Sequence, residues 1–168
     1  INSGPNPSPL VFRGSPGRLG SSSQDFVFAE CSLNGFDFEV HVDVEYEGSS
    51  GAVHELDVSI VDQKHAQSIR QRPSRLPTAP HLRAAFECKF YDSTLGVALG
   101  RAFMGLVDDC GTLEFKALLT NGSSAGLAQY LRQKRRPDPF FDVSPLTAAC
   151  ADRFVSVLEQ ALRRWASV

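Results

Sequence analysis

Two stretches of strict alternation constrain this chain more than anything else in it. In FDFEVHVDVEY (residues 36–46), Phe36, Phe38, Val40, Val42, Val44 and Tyr46 fall on one face, with Asp37, Glu39, His41, Asp43 and Glu45 on the other. A period of two belongs to a β-strand, because a helix would scatter the same residues around its axis. After the loop Gly48-Ser49-Ser50-Gly51 the pattern returns in VHELDVSIVD, with Leu56, Val58 and Ile60 opposite Glu55, Asp57 and Ser59. The pair predicts an antiparallel hairpin. A third strand, LRAAFECKFY, sets Phe86, Cys88 and Phe90 on one face and Ala85, Glu87, Lys89 and Tyr91 on the other.

Around these strands the periodicity changes. DFVFAECSL fits a short strand or helix equally and is followed by the turn pair Asn34-Gly35. From Thr94 to Cys110, Leu95, Leu99, Ala102, Phe103, Leu106 and Cys110 recur at helical spacing, with Ser93 or Thr94 as N-cap and Gly111 past the end. LEFKALLT reads as a buried strand, SSAGLAQYLRQK as a short helix and PFFDVS as a last strand. Ser144-Pro145 then opens a helix whose stripe is Leu146, Cys150, Phe154, Leu158, Ala161 and Trp165. The order β-β-β-α-β-α-β-α implies an α/β fold of the mixed α+β kind, a mixed central sheet flanked by helices.

Residues 1–24 are dominated by Gly, Pro and Ser, which bury too little apolar surface to offset ordering, so they read as a tail or linker before a domain at 25–168. The 168-residue length has room for one such domain. The 42% hydrophobic and 21% charged fractions are those of a globular protein, and no apolar run approaches the roughly 18 residues of a membrane span. Ile1 is followed by no basic-then-apolar leader, so no signal peptide is expected, and the chain reads as a piece of a larger protein. Cys31, Cys88, Cys110 and Cys150 lack CxxC spacing and sit in apolar segments, which suits reduced thiols in a cytoplasmic setting. His41, His54, His65 and His81 show no HxH, HxxxH or HExxH spacing and are expected on the surface or filling strands. Cys88 is expected to pack on the apolar face, and Trp165 to be core or a docking face.

Chemistry concentrates on the acid faces of the second and third strands. Hydrolysis of a phosphodiester by a divalent cation needs hard oxygen ligands, and it benefits from a positive group beside the attacking water. Asp57 and Glu87 offer the first and Lys89 the second, with Glu87 and Lys89 on one face by alternation. The motifs HELDVSIV and AFECKFY resemble the PD-(D/E)xK nuclease superfamily, in which an acid on one strand precedes ExK or DxK on the next. The helix after ECK, the strand LEFKALLTNG and the helix SAGLAQYL also resemble the Mrr-type core, so the resemblance spans roughly residues 36–145.

That resemblance implies a restriction endonuclease-like fold, with Asp57 and Glu87 holding Mg²⁺, or Mn²⁺ in its place, and Lys89 orienting the water. Two features depart from the family pattern: Leu56 stands where Pro is usual, and the helix-borne Glu has no clear counterpart. Glu30, Glu45 and Glu55 are the stand-ins, of which Glu55 is favoured for sharing a face with Asp57.

The expected partner is DNA. With a net charge of −2 there is no global basic field, so the contact falls to local clusters. Lys64, Arg70, Arg72, Arg75 and Arg83 lie in a long acid-free stretch that suits a phosphate backbone, read as a loop with room for a helical turn. Arg132, Lys134, Arg135 and Arg136 form a second cluster, at a helix end where the dipole also favours cations. Cutting both strands would favour a homodimer. The competing reading keeps the fold without the activity, as a nucleic-acid or protein binding or scaffolding module of a larger protein.

Overall fold

The computed structural model describes residues 11–13, 28–71, 78, 81–121, 125–134, 140–142 and 148–166. Among them seven strands lie side by side in chain order: β1 (Val11–Arg13), β2 (Phe28–Leu33), β3 (Phe36–Glu47), β4 (Val53–Asp62), β5 (Leu82–Lys89), β6 (Phe115–Thr120) and β7 (Phe140–Asp142). The helices are α1 (Gln63–Arg70), α2 (Val97–Asp109), α3 (Ala125–Lys134) and α4 (Ala148–Trp165). The fold is thus α+β with a mixed sheet flanked by helices, as the order of elements implied.

Strands β1 to β5 pair antiparallel, whereas β5, β6 and β7 run parallel. Parallel neighbours need crossovers, and α2 and α3 supply the two of them. Successive crossovers of one hand moving in one direction lay their helices on one face, so α2 and α3 pack together. Gly100 permits this closeness, because a Cβ there would come within 2.5 Å of Leu127 Cδ1 and 3.0 Å of Tyr130.

The core has two layers. On one face Phe103, Met104 and Val107 of α2 and Leu127 and Leu131 of α3 meet Val44, Tyr46, Leu56 and Leu118 of the sheet. On the other, Phe154, Leu158, Ala161 and Trp165 of α4 meet Phe38, Ile60, Phe86, Phe115 and Phe141. The expected stripe of α4 is therefore core over its described part, and Trp165 packs edge-on against Phe38 at 5.7 Å. Leu146 lies outside the described residues.

Several expectations need correction. Strand β3 does not keep its apolar residues on one face, because Phe38 and Val40 serve the α4 layer while Val44 and Tyr46 serve the α2/α3 layer. The change falls at Asp43, whose φ of 55° is left-handed. Strand β4 changes with it, Leu56 joining one layer and Val58 and Ile60 the other. Alternation carries no signal for a single residue out of the β region, so the sequence could not show this. Nor is the polar face solvated throughout: Glu39 and His41 are both buried.

Elsewhere the differences are of boundary and type. The ambiguous DFVFAECSL contributes strand β2, and Val11–Arg13, inside the expected tail, adds β1 along its edge. The basic stretch opens with helix α1, whose Lys64 N–H donates to Asp62 Oδ1 at 3.3 Å and whose Ala66 is buried. With only Ala66 and Ile69 apolar in QKHAQSIR, the segment offered too short an apolar stripe to read as a full helix. Helix α2 starts later than expected, capped by Gly96 without a side-chain hydrogen bond rather than by Ser93 or Thr94. Its buried face centres on Phe103, Met104 and Val107, and Ala102 is exposed. Gly111, just past the helix as expected, has φ 83°.

Candidate active site

The pairing of β4 with β5 runs from Val61 and Leu82 to Val58 and Phe86. Beyond that point a side chain takes over from the ladder: the Cys88 backbone N–H donates to Asp57 Oδ2 at 2.6 Å. On its other side β5 stays paired with β6, with Glu87 opposite Leu118 and Lys89 opposite Thr120. Asp57 is thus pinned where the two strands part, and Glu87 and Lys89 project from a strand held on its far edge.

The three side chains converge. Lys89 Nζ donates to Glu87 Oε2 at 2.8 Å and lies 3.4 Å from Asp57 Oδ2, bridging the two carboxylates. Glu87 is the most enclosed of the three at 12% side-chain exposure, against 29% for Asp57 and 23% for Lys89. The three side chains are thus part-buried, each keeping some contact with solvent.

Burial raises the Glu87 carboxyl above its ordinary value; the Lys89 hydrogen bond opposes this, and the negative charges of Asp57 and Glu55 add to it. Burial alone would lower the Lys89 ammonium, but its hydrogen bond to Glu87 and the charges of Glu87 and Asp57 outweigh that and hold it up. Lys89 is therefore a firmly charged group. The Cys88 thiol is raised by burial and by Asp57 and Glu87, and Cys110 is pushed up to about 11, chiefly by burial. Neither is a thiolate nucleophile, and both are free of disulfides.

Glu55 is exposed and pairs across the hairpin with Glu45. Its described tie to the site is electrostatic, through its effect on Glu87. Glu30 lies opposite Glu39 on the β2–β3 ladder, two strands from Asp57. The residue that sequence reasoning missed is Asp43. Val42 pairs with Val58 and Val44 with Leu56, so Asp43 sits across from Asp57 at the point where both strands change layer. A left-handed Asp between two clean alternating halves leaves no mark in a hydropathy pattern.

The basic residues are spread out. Lys64 is exposed on α1, Arg70 ends that helix, and Arg72 and Arg75 lie outside the described residues, as do Arg135 and Arg136. Arg83 is an extra residue at an irregularity opposite Ile60 and Val61. Its guanidinium lies 5.1 Å from the Trp165 ring centroid and 3.6 Å from Asp62 Oδ2, which ties β5 to α4. Arg132 and Lys134 lie in the last turn of α3 and are exposed.

None of the histidines reaches the site. His41 donates to Glu39 at 2.7 Å inside the protein, and beside them Tyr46 and Ser59 share a 2.7 Å hydrogen bond. His54 donates to Asp109 Oδ2 at 2.6 Å. Ser49 and Ser50 add hydroxyl and backbone donors to the same carboxylate, which clasps the β3–β4 loop to the end of α2. These donors, His54 foremost, hold the Asp109 carboxyl far below the usual range and offset the repulsion of an acid at a helix C-terminus. His65 and His81 stack at 3.7 Å.

Among the described residues no three of His, Cys, Asp and Glu are grouped to hold a metal ion. Asp57 and Glu87 nevertheless suit Mg²⁺, which is typically held by one or two carboxylates, with water and substrate oxygens completing the shell. A single ammonium already lies between them, so the pair is built around a positive charge. Comparison with protein-family models, with curated proteins and with solved structures finds no match for the chain.

Proposed function

We propose that this chain is a metal-dependent endonuclease domain that hydrolyses DNA phosphodiester bonds, on a sheet of the restriction endonuclease type. The observation that carries the reading is the bridge of Lys89 between Asp57 and Glu87, at 3.4 and 2.8 Å, on two strands that part at that point. Asp57 and Glu87 would hold Mg²⁺, with Mn²⁺ able to substitute. The ion would supply polarisation of the phosphate and a lowered pKa for water. Asp57 is oriented by the Cys88 N–H, and Glu87 by its hydrogen bond from Lys89, which favours its charged form. Lys89, firmly charged, would lie beside the attacking water and the phosphate oxygens. Lys64 and Arg70 on α1, with Arg72 and Arg75 after it, would meet the DNA backbone. Arg83 contributes less, since Asp62 and Trp165 already engage it.

Thiols at Cys88 and Cys110 suit a cytoplasmic setting. No helix among the described residues is long and apolar enough to cross a membrane. Cutting both strands would call for a dimer or for neighbouring domains of a parent protein.

Purified protein should nick and linearise plasmid with Mg²⁺ or Mn²⁺, and Lys89→Ala should reduce the rate at least about a hundredfold, as loss of a transition-state charge contact does. Equal cutting by the variant, with its circular dichroism unchanged, overturns the assignment. Among the described residues no third ligand joins Asp57 and Glu87, which favours one other reading, a nuclease-like domain that binds without cutting. Calorimetry that finds no heat of Mn²⁺ binding, alongside retained DNA affinity, would establish it.

A further inference from the structure

Lys89 is the last residue of β5 to pair with β6, opposite Thr120, and the pairing of β5 with β4 has already ended at Phe86. A bridging ammonium at a strand end is only as well placed as the main chain beneath it, and such ends open readily. Packing does little to hold the two residues that follow, since Phe90 and Tyr91 are each 54% exposed.

Two side chains take the place of the missing rungs. On the β4 edge the Cys88 N–H donates to Asp57 Oδ2 at 2.6 Å, and on the β6 edge the Tyr91 N–H donates to Asn121 Oδ1 at 3.2 Å. Successive N–H groups of an extended chain point to opposite edges, so donors three residues apart face opposite neighbours. The segment is thus fastened on both sides, with Lys89 between the fastenings. Asp57 belongs to the site already, whereas Asn121 does not. Its base is firm, because it follows Thr120, which is fully buried and paired with both Lys89 of β5 and Asp142 of β7. A side-chain amide oxygen accepts as a backbone carbonyl does, so β6 gains one further rung through Asn121.

We infer that Asn121 is a positioning residue for Lys89, holding the end of β5 so that the ammonium stays between Asp57 and Glu87. Its bearing on cleavage rests on the nuclease reading; the clamp itself does not, and its test reads Lys89 directly. The full chain is labelled with a trace of acetic anhydride, which acetylates only uncharged amines. Mass spectrometry then follows Lys89 relative to the exposed Lys64 and Lys134. Lys89 should label slowly in the native protein, because both carboxylates hold it as the ammonium. Asn121→Ala should speed its labelling by at least about threefold, the scale of one lost hydrogen bond. Lys116, part-buried on β6, should keep its native rate, which a loosened fold would not allow. Asn121→Asp keeps the acceptor and should restore slow labelling, with about 0.5 M salt present to screen the charge it adds.

An unchanged Lys89 rate in Asn121→Ala, a rise shared by Lys116, or no rescue by Asn121→Asp overturns the clamp. A Lys89 freed by Asn121→Ala in a protein that cleaves no DNA would sink the nuclease reading and leave the clamp standing. Cleavage by a native protein whose Lys89 is indifferent to Asn121 does the reverse.

Discussion

At the scale of single residues, the chain places charge where geometry can use it and hides some charge where it cannot titrate freely. His65 is the clearest case: burial pushes its imidazole down to about 4, with the stacked His81 adding to the effect and Asp62 opposing it. The sign follows from linkage. An unfolded chain protonates this histidine near its ordinary 6.5, while the folded one resists until about 4. Stability is therefore full above that upper value and drains away as pH falls toward the lower. Urea midpoints measured at pH 7 and pH 5 should drop for the native protein and drop less for His65→Gln; parallel losses would show that other groups set the acid limit. Much of the candidate site was legible at this scale. Glu87 and Lys89 had to share a face because strands alternate, and an acid on the preceding strand had only to lie at the right depth. The Glu39–His41 pair was not legible, because a polar residue on an alternating strand reads as solvent-facing whether or not something covers it.

At the scale of elements, β3 owes its double service to Asp43. A left-handed residue costs an ordinary side chain roughly 1–2 kcal/mol, Asp somewhat less, and Gly nothing beyond its entropy. Asp43→Val should therefore lower unfolding free energy by about 1–2 kcal/mol, while Asp43→Gly should stay within about 1 kcal/mol of the native value. Denaturant titration of the two variants decides it, and a valine variant as stable as the glycine one would mean that the strand simply straightens. The elements with strong periods, β3, β4, β5, α2 and α4, were foreseeable from hydropathy alone. Helix α1 and the face change in β3 were not, since one has too short an apolar stripe and the other turns on one dihedral angle.

At the scale of the whole molecule, the sheet is sealed on one side by two crossover helices and on the other by α4, whose last turn is anchored by Trp165. That indole touches Phe36 and Phe38 and lies under the Arg83 guanidinium, so it joins β3, β5 and α4 in one contact. Trp165→Ala should cost about 3–5 kcal/mol, a large share of the roughly 5–15 kcal/mol that holds a domain together. A melting temperature within a few degrees of the native protein would show that α4 is a loosely held lid over a core that closes without it. The mixed sheet and its flanking helices were readable from the order of elements, whereas the packing of α2 and α3 on one side follows from crossover handedness, which no single segment carries.

The bridge at the strand fork also has a meaning in the language of ion exchange. Lys89 is a tethered counter-ion, held between the two carboxylates of its own resin. Under the proposed function, loading such a site would be a swap rather than an addition: Lys89 would give up its place between Asp57 and Glu87 to a divalent charge, and its tether would keep the ammonium within reach of an anion arriving with that charge. A free monovalent cation displaced from the same spot would diffuse away. The chain keeps its own.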